Sequence, residues 1–212
     1  MASVLLLAAP SPRPRPVSLA VACGTTRLRL HPPGSPRRAE VERFVAGIYA
    51  RRYGARVPGW APMLATLEDG DGIAAAAGWR DATDRLYLER YLPRPVERCI
   101  AERAGLARVE RHRIAEVGHL AAADPGAGRR MLLRLAQHLA SRGIDWIVST
   151  ATPGVRATFE RIGVDALELG PATREAAGTD AIDWGRYYDD GPTVVAGELL
   201  SNLARVAARR AP

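Results

Sequence analysis

The chain of 212 residues contains no lysine; all 30 of its Lys/Arg positions are arginine. This absence removes two function classes. Without an ε-amine there is no Schiff-base lysine, which excludes pyridoxal-phosphate chemistry. Without the lysine of a phosphate-cradling loop, an ordinary P-loop nucleotide site is excluded as well. Cysteine is almost as scarce. Cys23 and Cys99 are the only two, neither sits in a CxxC pair, and no Cys/His cluster has zinc spacing, so no metal site is expected. Cys99 falls in an apolar helical stripe and reads as a buried side chain. No apolar run is long enough to span a membrane. The run Val4–Ala9 lacks a preceding basic region and is cut off by the proline-rich Pro10–Pro16, unlike a secretory signal. Cytoplasmic residence is the expectation. The net charge of +7 follows from the arginine bias that accompanies abundant Ala, Gly and Pro. It speaks to solubility rather than to a partner. No helix-turn-helix, zinc finger or aromatic RNA-binding strand is present, so no nucleic-acid partner is expected.

What remains is an ordinary globular composition, 47% apolar and 25% charged, enough for one sizeable domain. Residues 1–16 read as a Pro/Arg-rich leader, residues 17–198 as the folded domain and residues 199–212 as a basic amphipathic extension. Strands are expected at Val17–Ala22 and Thr26–Leu30. Ser35-Pro36 opens a helix carrying Val41, Phe44, Val45 and Ile48. Met63–Leu67 and Ile73–Trp79 form a hairpin across Glu68–Gly72. Arg85–Leu92 reads as a further strand, Pro95 to Gly105 as a short helix and Arg111–Leu120 as another strand. A second amphipathic helix, with Leu132, Leu135, Ala136 and Leu139 as its stripe, ends near Gly143. Asp145–Thr150 is a buried strand, and Thr152-Pro153 starts a helix with Val155, Phe159 and Ile162 that ends at Gly163. Residues 164–198 hold short strands and loops, and Leu199–Arg210 is a helix. The order implies an α+β (α/β/α layered) protein with a mixed, mostly antiparallel twisted sheet flanked by helices.

The chemistry concentrates in Ile114–Leu120 and the Gly126-Ala127-Gly128-Arg129-Arg130 turn after it. A Gly-x-Gly turn at a helix start exposes backbone N–H groups to phosphate oxygens, and Arg129 and Arg130 add charge-assisted donors. The competing reading is a plain glycine turn with solvated arginines. Glu116 sits mid-strand, where partial burial would raise its pKa and suit it to act as a base; the competing reading is a solvent-facing or arginine-paired glutamate. Strand alternation puts Gly118 on the face of Glu116 and His119 on the opposite face. His119 titrates in the range of a proton relay. With Val117 beside it, Gly118 suits a bulge that frees backbone groups for a pantetheine arm. Glu89 and Glu97 could receive an ammonium group, and Tyr187 could protonate a leaving thiolate.

Several of these segments resemble known families. Ala123–Gly128 is similar to the Gln/Arg-x-x-Gly-x-Gly/Ala loop of the GNAT acyltransferases, with Ala123 in place of the usual Gln or Arg. Phe159-x-x-Ile162-Gly163 is similar to that superfamily's aromatic–apolar–Gly helix end. The closer resemblance is to the thermostable hemolysin family. It rests on Phe44, Tyr49 and Tyr53-Gly54-Ala55; on Leu88-Glu89-Arg90-Tyr91-Leu92 with Pro95 and Glu97; on Glu116–Ala121; on Trp184-Gly185-Arg186-Tyr187-Tyr188; and on Pro192–Gly197. His119 departs from the family's usual Asn. The resemblance implies a GNAT-like fold and transfer of an acyl group from a thioester carrier, acyl-CoA or acyl-carrier protein, to a small amine, with no tightly bound cofactor. On this reading Glu116, His119 and Tyr187 are catalytic. Val117, Gly118, Gly126, Ala127, Gly128, Arg129 and Arg130 hold the carrier, and Glu89, Tyr91, Glu97 and Trp184 contact the acceptor. The alternative is a non-catalytic lipid- or membrane-interacting protein working through its terminal amphipathic segments.

Overall fold

The computed structural model describes residues 26–70 and 72–209. The leader, the Val17–Ala22 strand and Cys23 lie outside the described residues. Seven strands form one sheet in the order β1-β2-β3-β4-β5-β7-β6. They are β1 (Arg27–His31), β2 (Met63–Asp69), β3 (Gly72–Asp81), β4 (Ile114–Ala122), β5 (Trp146–Ala151), β6 (Leu167–Pro171) and β7 (Thr193–Glu198). All neighbours are antiparallel except β4 and β5. The α+β sheet read from the sequence is the one found.

Helices cover both faces because the central strands are apolar on both sides. In β4, Ile114 packs with Val96 and Ile100 of α2 (Val96–Ala104). Ala115 and Val117 point the other way, against Met131, Leu135 and Leu139 of α3 (Pro125–Ser141). Helix α1 (Arg38–Tyr53) covers the face of α2 at the other end of the sheet, where Val41, Val45, Tyr49 and Tyr53 meet Leu64 and Ala76. Four successive alanines, Ala74–Ala77, run through β3 between α1 and α3, all buried. Helix α7 (Leu199–Ala208) packs beside α3, and α4 (Pro153–Ile162) follows β5.

Three expected elements change. Arg85–Leu92 is not a strand; its core, Tyr87–Tyr91, is a 3-10 turn. The Tyr87 and Leu88 N–H groups that a strand would give to a neighbour go to the Glu116 carboxylate, at 2.7 and 3.1 Å. The strand expected from Arg111 begins three residues later, because Arg111–Arg113 form a 3-10 turn. The first helix likewise starts at Arg38, with Ser35 accepting the Arg38 N–H through its carbonyl at 3.0 Å.

Between β6 and β7 the chain makes two single-turn helices, α5 (Arg174–Ala177) and α6 (Asp180–Asp183), and a 3-10 turn at Tyr187–Asp190. This segment docks on the end of α1 through Arg56 N–H to Asp183 O and Arg186 N–H to Tyr53 O. Gly185 permits the approach. Its φ is +56°, and an added Cβ would stand 2.4 Å from Tyr53 O. Gly191 has a similar φ of +59° with nothing within 4 Å. Gly185→Ala is therefore expected to lower stability by about 2–5 kcal/mol, combining left-handed strain with a backbone collision. Gly191→Ala is expected to lose only about 1–2 kcal/mol. Urea denaturation of both variants checks the difference; equal losses would mean that the contact at Gly185 is not tight.

Candidate active site

The site begins with a fault in β4. Gly118 faces Gly78 of β3 and Ala121 faces Ala76, so His119 and Leu120 together oppose Ala77. This is the two-against-one pattern of a bulge. His119 takes up the extra residue with a φ of +53°, the one positive φ outside glycine among the described residues. On its other edge β4 pairs with β5 only over Ile114–Glu116, opposite Trp146–Val148. From Val117 onward that edge has no strand partner, and β4 and β5 diverge around a cleft of about 750 Å³. The bulge expected at Gly118 is present, one residue further on.

The bulge corrects the facing of His119. Regular alternation would put it opposite Glu116. The inserted residue instead turns its ring to the side of α1, against Trp60 at 5.2 Å between ring centroids, with Nε2 2.9 Å from Gly59 O. Both Glu116 and His119 therefore line the cleft. Burial lowers the His119 pKa to about 4, so the ring is neutral at pH 7; its Nδ1 is buried without a partner. A Cβ at Gly78 would lie 3.1 Å from that Nδ1, so the ring depends on a glycine in the neighbouring strand. The left-handed backbone also accounts for the Asn usual at this position in the resemblance, since Asn tolerates that conformation.

Glu116 stands where the two strands part. Its carboxylate is almost fully buried, accepting the Tyr87 and Leu88 N–H groups with Arg80 at 3.6 Å. Burial raises its pKa, opposed by those hydrogen bonds and by Arg80. Each carboxylate oxygen keeps acceptor capacity for a further proton donor.

All six tyrosines of the chain line this cleft. Trp184 donates through Nε1 to the Tyr87 hydroxyl at 2.8 Å, which donates to Asp180 at 3.2 Å. Arg90 pairs with Asp180 at 2.8 Å and lies 3.7 Å above the Tyr87 ring. The Tyr91 and Tyr188 hydroxyls share a hydrogen bond of 2.6 Å. Tyr187 donates to Thr150 O at 3.0 Å, and burial holds its pKa well above the ordinary phenol value. The cleft thus has a polar aromatic end. Its other end is apolar, walled by Leu132 and Ala136 of α3, Phe159 and Ile162 of α4, and Leu203 and Val206 of α7.

The sequence-predicted residues divide accordingly. Glu116, Val117, Gly118, His119, Gly128, Arg129, Tyr91, Trp184 and Tyr187 line the cleft. Gly126, Ala127 and Arg130 do not: the Ala127 side chain is in the core, and its N–H is taken by the capping Asp124 carboxylate at 2.8 Å. Glu89 and Glu97 are also elsewhere. They clamp Arg111 at 2.6 and 2.7 Å, and Glu89 accepts the Leu86 and Val96 N–H groups, which ties the 3-10 turn to α2. Arg111 and these N–H groups hold the Glu89 pKa below its ordinary value. Arg80, Tyr87, Arg90 and Asp180 were not anticipated. For Tyr87 and Arg90 a signal existed, since Tyr87 immediately precedes the Leu88–Leu92 motif and Arg90 lies within it. Arg80 and Asp180 carry no such signal.

The His119 shift yields a pH prediction. A histidine whose folded pKa is lowered is protonated first in the unfolded chain, so stability falls as pH drops from 6.5 towards about 4. His119→Asn is expected to flatten this limb, leaving the share due to His31 and His138, whose pKa values burial also lowers. Urea unfolding at pH 7 and 5 measures it; an unchanged slope in the variant would show that the ring is not buried in neutral form.

The family model described as thermostable hemolysin matches residues 31–203. No curated protein matches the chain in sequence. Among solved structures, FeeM, an N-acyl amino acid synthase from uncultured soil microbes, superposes with a TM-score of 0.58 at 15% identity, covering 88% of this chain and 100% of that one. BjaI, a CoA-dependent acyl-homoserine lactone synthase solved with SAM and isopentyl-CoA, gives 0.58 at 11% identity, covering 87% of this chain and 89% of that one. The AHL synthase LasI gives 0.54 at 14% identity, with coverages of 82% and 90%. At these identities the likeness is one of fold, and the fold is GNAT-like.

Proposed function

The chain belongs to the thermostable hemolysin family, and we propose that it is an acyltransferase moving an acyl group from a thioester carrier to an amine within the cleft between β4 and β5. The observation that carries this reading is the divergence of those strands beside a buried carboxylate of raised pKa. The free edge of β4 offers backbone groups to an extended pantetheine arm and its thioester carbonyl. The three solved structures, two of acyl-homoserine lactone synthases and one of an N-acyl amino acid synthase, support the class of reaction.

In this reading the amine nitrogen attacks the thioester carbon and the C–S bond breaks. Glu116 takes the proton from nitrogen, directly or through one water. The sulfur leaves as a thiolate, and Tyr187 supplies its proton. His119, neutral and packed against Trp60, supports the bulge and is not required to change charge. Arg129 and Gly128 stand at the cleft edge by the first turn of α3, where the carrier's phosphate would lie, with Gly118 and Val117 along its arm. Tyr91 and Trp184 face the acceptor. The carrier is acyl-CoA or an acyl-carrier protein. The lipid-interaction alternative has less support, because Leu199, Leu203 and Val206, the apolar side of α7, face the cleft. Among the described residues no helix is long and apolar enough to cross a membrane.

The test is thiol release from acyl-CoA and from acyl-carrier protein in the presence of a panel of amines. Glu116→Gln is expected to lower kcat about 10²–10⁴-fold. In the wild type, kcat/KM should rise with pH through an apparent pKa above the ordinary 4.5 of a glutamate, and that limb should vanish in the variant. Full turnover by Glu116→Gln would remove Glu116 as the base.

A further inference from the structure

At the C-terminal end of β5 the structure gathers a set of groups suited to binding an anion. Thr152 is the N-cap of the ten-residue helix α4, yet its hydroxyl does not cap it. The residue is only 2% exposed and its Oγ1 has no hydrogen-bond partner. The Tyr53 hydroxyl lies close enough to interact with both Thr152 and Arg52, but outside good hydrogen-bond geometry to Thr152 Oγ1. A buried, unsatisfied hydroxyl costs about 1–3 kcal/mol, so its retention calls for a partner. The Val155 and Arg156 N–H groups both go to Thr152 O, whereas the Gly154 N–H in the same turn has no such bond. Arg52, at the end of α1, reaches over this turn, its Nη2 standing 3.3 Å from where a Gly154 Cβ would be. It forms no ion pair among the described residues. Arg52, Tyr53, Thr152 and Gly154 all line the cleft. A cation, a helix N-terminus and a free hydroxyl together match a carboxylate.

The register says what that carboxylate belongs to. Glu116 faces Val148, so the β4 bulge at His119 and Leu120 stands level with Ala151 and Thr152 across the gap. A thioester carbonyl held at the bulge therefore faces the anion groups across the cleft, on the opposite wall from them. We infer that Thr152, the Gly154 N–H and Arg52 bind the carboxylate of the acyl acceptor, which makes the acceptor an α-amino acid or a close analogue. The amine then points at the bulge while the acid group rests on α4. This assignment rests on the acyl-transfer reading; the geometry of the anion groups does not.

The first test needs no turnover. In full-length protein labelled with ¹⁵N-glycine, acetate is expected to shift the Gly154 amide resonance and leave Gly105, at the end of α2, in place. Thr152→Val and Arg52→Gln should each weaken acetate binding about ten- to a hundred-fold, and Thr152→Ser should restore it. Without acetate, Thr152→Val should also raise the melting temperature by a few degrees, the reverse of what loss of a structural hydrogen bond does. No movement of Gly154 with acetate overturns the inference. So does movement with inorganic phosphate alone, which would give the groups to a phosphate. The second test compares amino acids with their decarboxylated amines, such as phenylalanine with phenethylamine, as acceptors. The amino acid should be favoured about ten- to a hundred-fold in kcat/KM, and Thr152→Val should erase this through KM. Equal use of both amines overturns the inference and leaves acyl transfer standing. Acetate binding with no acylation of any amine overturns the acyl-transfer reading, and with it the assignment of the carboxylate to an acceptor.

Discussion

The Glu116 carboxylate joins two parts of the molecule that would otherwise be independent. It lies on the last residue of β4 that still has β5 beside it, and it accepts two backbone N–H groups from the Tyr87–Tyr91 turn. Those hydrogen bonds replace the ladder that this segment would have needed as a strand. They also fix where Tyr87 and Tyr91 enter the cleft. Because the carboxylate is buried, its ionised form is stabilised mainly by those N–H groups and by Arg80. The position of the aromatic wall and the basicity of the carboxylate are thus one structural problem with one solution.

The bulge next to it is the second constraint. Adding one residue to β4 relative to β3 moves His119 and Ala121 to the α1 face and Leu120 to the α3 face. Without it, the strand edge beyond Val117 would continue in register, and the ring of His119 would be directed at α3. The divergence of β4 and β5 also leaves room for α4 and α7 to wall the apolar end of the cleft. The amphipathic C-terminal helix, read from sequence as a candidate membrane contact, spends its apolar side on this wall.

The elements that could be read from the sequence are those whose cues are local. Helices α2, α3 and α4 have apolar residues at helical spacing, with a glycine at or just past the end, and the β2–β3 hairpin has its turn chemistry between two apolar runs. Where the sequence misled, the deciding partner was distant. Tyr87–Tyr91 resembled a strand because Leu86 and Leu88 alternate, and the group that makes it a turn is 28 residues away at Glu116. Glu89 and Glu97 suggested an acceptor site because, on the expected elements, they follow a strand and open a helix. Arg111 neutralises both, and only the fold brings it there. The side of His119 was misjudged because alternation counts residues and a bulge breaks the count. The glycine loop was legible as a helix start, but not that Asp124 would take one of its N–H groups.

The gathering of every tyrosine into a single cleft has a practical side. Phenol absorption and emission, together with those of Trp60 and Trp184, come from rings that touch the same space. Only Trp79 and Trp146 lie outside it, both in the core. Much of the near-ultraviolet signal of this protein therefore comes from one location, and the molecule carries its own optical gauge of whatever occupies that space.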